Sequence, residues 1–263
     1  MTTTLTDAQV EAAATFLEDA RAQGGPLPQI PEEFRPASIQ DGTRIAERLS
    51  GVADRRPEGW KAGASSAAQL RDLGTKTPPT APLFEGVIRE SPAQLDAATF
   101  HRCVMEAEVA FRMRADLPAR DRAYSLDEVR DAVASAHLAI EAANAPFADG
   151  LGVGLPSLIA AGFAIGHLIL GPEITDWRQY DLQALDVELL LDGEVAARGL
   201  EGEARCDPLA VLEAMANDFS ARGFGLEAGQ VVTTGAAAVA PAKPGQTVVA
   251  RFAGIGDVVA TLA

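Results

Sequence analysis

Two glutamates stand one residue apart in the otherwise apolar segment "CVMEAEVAFRM", which begins at residue 103. The segment predicts a β-strand, and alternate residues of a strand share a face, so Glu106 and Glu108 lie on the same side with Cα atoms about 6.6 Å apart. Neighbouring carboxylates in apolar surroundings repel each other, and burial adds to the cost. A hard divalent cation such as Mg²⁺ or Mn²⁺ would offset this repulsion through oxygen ligands.

A third carboxylate, Glu141, stands alone in a second predicted strand, "HLAIEAAN" at 137–144. Three carboxylates from neighbouring strands form a ligand set that leaves metal positions open for a substrate. The alternative interpretation is a solvated strand face, on which Glu106 and Glu108 merely alternate with apolar residues. The isolated Glu141 in the second strand favours the metal site, with all three glutamates as candidate ligands.

Lysine occurs at three positions, Lys61, Lys76 and Lys243, whereas arginine provides most of the positive charge. Lys61 lies in "EGWKAGASS", which we interpret as a glycine-flanked turn where few neighbours cover the side chain. A surface lysine is the common alternative. An amine beside a metal-bound substrate can shuttle a proton, and we expect the cation and partial burial to lower the pKa of Lys61 toward the working pH.

The formal net charge is −15 and no basic block is present, which argues against binding of nucleic acid or an anionic membrane. The longest apolar stretch, 158–170, is too short to span a bilayer. The first residues resemble no signal peptide, and a cytoplasmic protein is the expectation. Cys103 and Cys206 form no disulfide framework or zinc motif.

The three histidines are far apart in the sequence and form no metal-binding or nucleophilic motif. We therefore expect His101, His137 and His167 to be neither ligands nor bases.

Helices are predicted from caps and apolar periodicity. They run from Thr6 to Gly24, from Ser38 to Leu49, from Ser66 to Gly74, from Ser125 to about Ala136, and from Asp207 to near Gly223.

Strands are predicted at "FEGVIRE", in the two glutamate-bearing segments, at "GQVVTTG", and in the final segment "GQTVVARFAGIGDVVATL". "VELLLDGEVAARG" predicts a hairpin with a type I′ turn at Asp192-Gly193. The segment "TKTPPTAP" at 75–82 is the candidate domain boundary. The order of elements indicates an α+β protein, with a helical N-terminal region at 1–80 and a β-rich core at 81–263.

The order and spacing of several motifs resemble the 2-keto-4-pentenoate hydratase and 2-oxo-3-hexenedioate decarboxylase group of the fumarylacetoacetate hydrolase superfamily. These motifs are "GWKAG", "EAE", a Glu about thirty positions later, "DPLAVLEAMANDFSARGFGLEAGQVVTTG" and "KPGQTVVARFAGIGDV". The resemblance implies that Glu106, Glu108 and Glu141 bind Mg²⁺ or Mn²⁺ and that Lys61 is a catalytic acid/base. It also implies a mixed β-roll or sandwich core with a small helical N-terminal region, and a homo-oligomer that associates in some cases with a homologous hydratase or decarboxylase subunit.

The implied activity is addition of water across the C=C bond of a 2-oxo-3-enoate in aromatic meta-cleavage catabolism, of the type that converts 2-hydroxypenta-2,4-dienoate to 4-hydroxy-2-oxopentanoate. Decarboxylation of 2-oxo-3-hexenedioate (4-oxalocrotonate) and a non-catalytic partner subunit are the alternatives. Ser65, Ser66, Thr234 and Gly235 are candidate substrate-binding residues, with ordinary turn chemistry as the alternative.

The chain departs from the group's common pattern at positions that shape the substrate pocket. Cys103 replaces a common Pro, Asn144 and Pro146 stand where Asp and Arg are common, and Ala161-Gly162 replaces Asp-Asn. The three glutamates and Lys61 are retained, so the resemblance implies a conserved reaction centre with a diverged substrate shell.

Overall fold

The computed structural model describes residues 4–52 and 54–263, and residues 1–3 and 53 of the predicted N-terminal region lie outside the described residues. The α-helices are α1 (Asp7–Gln23), α2 (Ile39–Val52), α3 (Ala67–Leu73), α4 (Leu126–Asp131), α5 (Leu155–Ala160) and α6 (Pro208–Ala221). Short 3₁₀ turns lie at Glu32–Phe34, Ala97–Thr99, Gly150–Val153, Trp177–Gln179, Leu182–Ala184 and Gly202–Ala204. The strands are β1 (Gly59–Ala62), β2 (Thr80–Leu83), β3 (Ile88–Glu90), β4 (Ala93–Leu95), β5 (Cys103–Met113), β6 (Val133–Asn144), β7 (Ile165–Glu173), β8 (Val187–Leu191), β9 (Glu194–Arg198), β10 (Val231–Ala242), β11 (Thr247–Phe252) and β12 (Gly256–Leu262).

The strands form two mixed sheets. A seven-stranded sheet has the order β2-β1-β10-β5-β6-β7-β3, and a five-stranded sheet has the order β4-β12-β11-β8-β9. Most neighbours are antiparallel, whereas β1 with β10, β3 with β7, and β12 with β4 are parallel pairs. The predicted α+β class with a β-rich core is confirmed by this arrangement.

Alternation along the central strands separates the two faces of the seven-stranded sheet. One face of β5 carries Met105, Val109 and Phe111 into the main core, which also contains residues of the five-stranded sheet and of α6. The opposite face of β5 carries Glu106, Glu108 and the buried Ala110, which packs in a smaller apolar cluster. The carboxylates therefore lie on the face that turns away from the main core.

The N-terminal helices form a separate apolar cluster that also includes residues of α5 and the loop before it. The side chain of Thr6 caps α1 in a capping box with Gln9, as predicted. At the other end of α1, Arg21 forms an ion pair with Glu18 and donates a hydrogen bond to the carbonyl of Ala161 at 2.9 Å. The helical region is thus tied to the segment that follows α5.

Several predicted elements are found with corrected bounds. The helix predicted from Ser125 to about Ala136 ends at Asp131, because Val133 already pairs with Met113 and begins β6. Of "FEGVIRE", only Ile88–Glu90 is a strand. The strand predicted at "GQVVTTG" continues to Ala242, since it pairs along the whole length of β5.

The remaining predictions of helix caps and turns are confirmed. Ser66 caps α3 in a capping box and Asp207 caps α6, while α2 extends three residues beyond the predicted end at Leu49. Asp192 and Gly193 both have positive φ, as a type I′ hairpin turn requires.

The boundary predicted at 75–82 stays a prediction. Strand β1 lies before it in the sequence and pairs between β2 and β10 inside the seven-stranded sheet. Within residues 4–52 and 54–263, helices of the length and apolarity needed to cross a bilayer are absent.

Close packing of β1 on β10 depends on Gly59, which lies opposite Val231. A Cβ atom at Gly59 would lie 2.0 Å from the Val231 carbonyl oxygen. We predict that Gly59→Ala lowers the free energy of unfolding by about 1–3 kcal/mol, because the strands must separate. The exposed Gly152, around which a Cβ meets nothing within 4 Å, provides the control Gly152→Ala. Urea denaturation tests this, and equal stability of the two variants would contradict the account.

Candidate metal centre and active site

The structure brings the three predicted glutamates together. Glu106 and Glu108 share one face of β5, and Glu106 lies directly opposite Glu141 of β6 in the strand register. One carboxylate oxygen from each of the three lies within 4.8 Å of those from the others. Glu108 and Glu141 are fully buried, whereas Glu106 is half-buried, so the cluster opens toward solvent at Glu106.

Burial and mutual repulsion disfavour the charged forms of these carboxyl groups. Burial, with the charge of Glu141, raises the pKa of Glu106 to about 7, although Lys61 opposes the shift. Burial and the charges of Glu141 and Glu106 raise the pKa of Glu108 well above its ordinary value. Burial also raises the pKa of Glu141 despite its ion pair with Lys61. Positive charge beyond that of Lys61 would therefore stabilise the cluster.

The donor set fits a hard divalent cation. Buried Glu108 Oε1 and Glu141 Oε2 find no hydrogen-bond donor among the residues that the structure describes. Buried polar atoms without partners are rare, and oxygen ligands are those that Mg²⁺ and Mn²⁺ prefer. Glu106, Glu108 and Glu141 are therefore the residues that would hold the cation.

The second oxygen of Glu108 is fixed by β10. Glu108 Oε2 accepts a hydrogen bond from the hydroxyl of Thr233 and another, at 3.1 Å, from the amide of Gly235. The register between β10 and β5 shifts between Thr233 and Ala236, which places Gly235 in this irregular segment. Gly235 has a φ of 105°, and a Cβ there would lie 2.0 Å from Ser65 Oγ, so glycine is required.

The predicted substrate-binding set includes Thr234 but not its neighbour Thr233, and Thr233 is the residue that contacts the carboxylate cluster. Thr233 lies opposite Ala110, on the carboxylate face, whereas Thr234 turns its hydroxyl to the Val109 carbonyl at 2.8 Å. The alternation of β10 relative to β5 is the signal that distinguishes the two threonines.

The other predicted substrate-binding hydroxyls have structural partners. Ser65 Oγ donates to the Thr234 carbonyl at 2.7 Å, and Ser66 Oγ accepts from the Gln69 amide as the cap of α3. Of the four predicted substrate-binding residues, Gly235 makes the direct contact with the carboxylate cluster.

Lys61 lies in strand β1, and the expected glycine-flanked turn is wrong. Its side chain is only 5% exposed. The ammonium forms an ion pair with Glu141 and donates a hydrogen bond to the Phe163 carbonyl at 3.0 Å. Lys61 therefore faces the three glutamates from the neighbouring part of the same sheet.

In the metal-free site the pKa of Lys61 is raised, whereas a bound cation together with partial burial is expected to lower it. Burial alone would lower it, but the charges of Glu141, Glu106 and Glu108 together outweigh burial and raise the pKa above its ordinary value. In the metal-free site, Lys61 is therefore a protonated ammonium at neutral pH. Neutralising the carboxylates would weaken the attraction that raises the pKa of Lys61. Burial, which lowers this pKa, would then have a larger relative effect.

Phe163 is a second residue that sequence reasoning missed. Its carbonyl accepts the hydrogen bond from Lys61, and its ring centroid lies 5.2 Å from the Lys61 ammonium. The segment "AAGFA" carries no charged residue and gives no pattern that marks it in the sequence. Only the fold places it over β1.

The histidines have other partners. The ring of His137 pairs with the Ser135 hydroxyl at 2.8 Å and the Gly171 carbonyl at 3.2 Å. His167 contacts the Val87 carbonyl, and burial lowers its pKa. His101 is exposed. The metal-capable cluster of the described residues consists of glutamates.

Two of the positions at which the sequence predicts divergence from the group have structural contacts. The Asn144 side chain accepts a hydrogen bond from the His101 amide and donates one to the Thr99 carbonyl, so it fixes the loop before β5. The Ala161 carbonyl accepts a hydrogen bond from Arg21, and Ala161 directly precedes the turn that contains Phe163.

We predict that the metal-free protein loses stability, on the order of 1–3 kcal/mol, as the pH rises from about 4.5 to about 7. The pKa of Glu106, about 7, lies above its ordinary 4.5, so the unfolded chain releases this proton at lower pH than the folded protein. Thermal melts in EDTA and in Mg²⁺ test this, and Mg²⁺ should suppress the loss.

Glu47, whose pKa is also raised by burial, acts in the same direction, so Glu106→Gln is the variant that isolates the cluster. In EDTA, the stability of the Glu106→Gln variant should fall less with rising pH than the stability of the wild type. Stability that increases over this pH range in EDTA, or that does not respond to Mg²⁺, would refute the electrostatic account.

Comparison with known proteins confirms the resemblance inferred from the sequence. The chain is 24% identical to 4-oxalocrotonate decarboxylase of Pseudomonas sp. (strain CF600) over 262 residues, 98% of each chain. It is 29% identical to 2-keto-4-pentenoate hydratase of Burkholderia vietnamiensis (strain G4 / LMG 22486) over 262 residues, 97% of this chain and 98% of the relative.

The same fold occurs in 4-oxalocrotonate decarboxylase from Pseudomonas putida G7 complexed with magnesium and adipate. The two structures match with a TM-score of 0.83 and 22% sequence identity, and the match covers 100% of both chains. The family described as fumarylacetoacetate (FAA) hydrolase C-terminal matches residues 63–263. With its curled mixed sheets and its buried carboxylate cluster, the chain belongs to the fumarylacetoacetate hydrolase family.

Proposed function

We propose that this protein is a divalent-metal-dependent hydratase that adds water across the C=C bond of a 2-oxo-3-enoate. The reaction is of the type that converts 2-hydroxypenta-2,4-dienoate to 4-hydroxy-2-oxopentanoate in aromatic meta-cleavage catabolism. The observation that carries the proposal is the cluster of Glu106, Glu108 and Glu141, with Lys61 as the adjoining acid. Two buried oxygens of this cluster have no hydrogen-bond partner among the described residues. Full-length relatives named 2-keto-4-pentenoate hydratase support it.

Mg²⁺ or Mn²⁺ held by the three glutamates would supply Lewis-acid polarisation of a 2-oxo group. The chain's own contribution is the rigid placement of the ligands. Glu108 is oriented by Thr233 and Gly235, and Glu141 is oriented by Lys61. Residues that hold the ligands in one orientation reduce the reorganisation needed when substrate binds.

Lys61 is positioned to move protons. Ketonisation of a 2-hydroxydienoate transfers a proton from the 2-hydroxyl to C5 and yields the 2-oxo-3-enoate. Hydration then places the oxygen of water on C4 and a proton on C3. The Lys61 ammonium, which is buried and protonated, is the proton donor, and the neutral amine accepts a proton from the next enol or water to restore the starting state.

The Gly235 amide and the Ser65 hydroxyl border the cluster through their contacts with Glu108 and the Thr234 carbonyl. We propose these two residues as the side of the pocket that faces the 2-oxo acid. The assignments of Ser66 and Thr234 as substrate ligands stay predictions, with their hydroxyls engaged in the cap of α3 and the Val109 carbonyl.

Decarboxylation of 2-oxo-3-hexenedioate is the second candidate, because full-length relatives carry the name 4-oxalocrotonate decarboxylase. Its substrate has a second carboxylate, which favours a cationic side chain in the pocket. Arg102 is exposed, and Arg112, although on the carboxylate face of β5, lies four residues beyond Glu108, about 13 Å along the strand. The charge distribution thus favours hydration.

Homo-oligomeric assembly, association with a homologous subunit and a cytoplasmic location stay predictions of this proposal. A non-catalytic partner subunit is the competing proposal, and the metal content of the purified protein separates the two, since the hydratase requires the cation.

The direct test of the proposed reaction is an ultraviolet assay with Mg²⁺. We predict that the purified protein removes the conjugated chromophore of 2-hydroxypenta-2,4-dienoate and produces 4-hydroxy-2-oxopentanoate. Glu108→Gln should abolish this activity and change the free energy of unfolding by less than about 1 kcal/mol, because the substitution also relieves repulsion in the metal-free cluster. Product formation by Glu108→Gln at the wild-type rate would show that the cluster is not the reaction centre.

Lys61 is tested by two substitutions. We predict that Lys61→Met binds the cation and an unreactive 2-oxo acid but loses turnover on the order of a hundredfold or more, because the proton donor is removed. Lys61→Arg should not restore turnover, since a guanidinium does not release its proton near neutral pH. Rates are measured by the same assay and binding by calorimetry. Wild-type turnover in Lys61→Met would eliminate the proposed proton transfer.

A further inference from the structure

An unusual backbone turn lies against the catalytic lysine. Gly162, Phe163 and Ala164 have φ values of 85°, 52° and 60°, so three consecutive residues adopt left-handed conformations. Two of them carry a Cβ, for which this region is uncommon, and a bulky side chain there is a genuine outlier. Residues in such conformations persist only where the surroundings hold them, and they concentrate at functional sites.

The turn is held from both sides. The Phe163 amide donates to the Leu158 carbonyl at 2.7 Å, and the Asn144 amide donates to the Ala164 carbonyl at 2.6 Å. From the helical N-terminal region, Arg21 donates to the carbonyl of Ala161. The conformation is therefore fixed by α1, α5 and β6 together.

The fixed turn places Phe163 against Lys61. Its carbonyl accepts the Lys61 hydrogen bond at 3.0 Å, and its ring lies against Gly63, where a Cβ would meet a ring carbon at 2.2 Å. The glycine two residues after Lys61 thus makes room for the ring. Phe163 is half-buried, so part of the ring remains accessible beside the buried ammonium.

The charges around this ring decide which ligand tail fits. The Lys61 ammonium is already engaged by Glu141 and the Phe163 carbonyl. Arg112 donates a hydrogen bond to the Gly229 carbonyl. Arg21, whose guanidinium lies beside Gly162, is engaged by Glu18 and the Ala161 carbonyl. A carboxylate placed against the ring would lose its hydration without gaining a partner, which is strongly unfavourable.

We propose that Phe163 is a specificity-determining residue, whose ring forms the wall of the pocket beside Lys61 and selects 2-oxo acids with a short apolar tail over 2-oxo dicarboxylates. This inference rests on the proposed function and deepens it, because it names the substrate class among the 2-oxo acids. It also assigns a role to the diverged segment at Ala161-Gly162, which forms the start of the turn.

The test is calorimetric binding of two unreactive probes, 2-oxopentanoate and 2-oxoadipate, to the Mg²⁺-loaded full chain. The wild type should bind 2-oxopentanoate about tenfold or more tightly than 2-oxoadipate. Phe163→Ala, which opens the wall to water, should reduce this ratio by about tenfold, whereas Phe163→Leu, which keeps an apolar wall, should retain it within about twofold. Phe163→Gly, whose backbone favours the left-handed conformation, repeats the comparison if Phe163→Ala does not fold.

The matched control is Phe34→Ala, because Phe34 is also half-buried and packs in the N-terminal apolar cluster away from the glutamates. It should leave the ratio unchanged. Binding of both probes with a ratio that Phe163→Ala and Phe163→Gly do not alter would overturn the role of Phe163 alone. A wild type that prefers 2-oxoadipate would overturn that role and would also favour decarboxylation over the proposed hydration. Failure of both probes to bind the Mg²⁺-loaded wild type would overturn the proposed function, and this inference with it.

Discussion

Repulsion among three closely spaced carboxylates, two of them fully buried, is the constraint on which the rest of the structure depends. The register of two central strands holds Glu106, Glu108 and Glu141 together. Among the residues that the structure describes, Lys61 supplies the one positive charge in direct contact with them. Two of the carboxylate oxygens receive no hydrogen bond from the part of the chain that the structure describes. Such an arrangement is costly in an empty protein and becomes favourable when a cation binds, so the site is built for an ion and its ligand.

Several parts of the fold hold this cluster in place. The main core anchors the opposite face of β5 and β6, and therefore the glutamates cannot turn away from each other without disrupting it. Strand β1 brings Lys61 from an early part of the chain to the same sheet face, while the N-terminal helices and α5 fix the turn that covers it. Each layer of the protein thus contributes one restraint to a single small site.

Much of the site could be predicted from sequence because it depends on local periodicity. A Glu-x-Glu pair in an apolar strand places both side chains on one face whatever the topology, and the caps at Thr6, Ser66 and Asp207 are equally local. The residues that were missed depend on long-range geometry. Thr233 and Thr234 differ only in the face they present at an irregular register, and Phe163 reaches Lys61 across 102 positions of sequence.

The direction of the Lys61 pKa shift could not be predicted from the sequence. It depends on which of two opposing effects is larger, the lowering by burial or the raising by attraction to three carboxylates. Anomalous diffraction from crystals grown with Mn²⁺ tests the central claim most directly. The account predicts one Mn²⁺ ion bound by Glu106, Glu108 and Glu141 at about 2.0–2.6 Å, with open positions that face Lys61 and Phe163. An anomalous peak elsewhere in the chain, with these carboxylates turned away from one another, would contradict it.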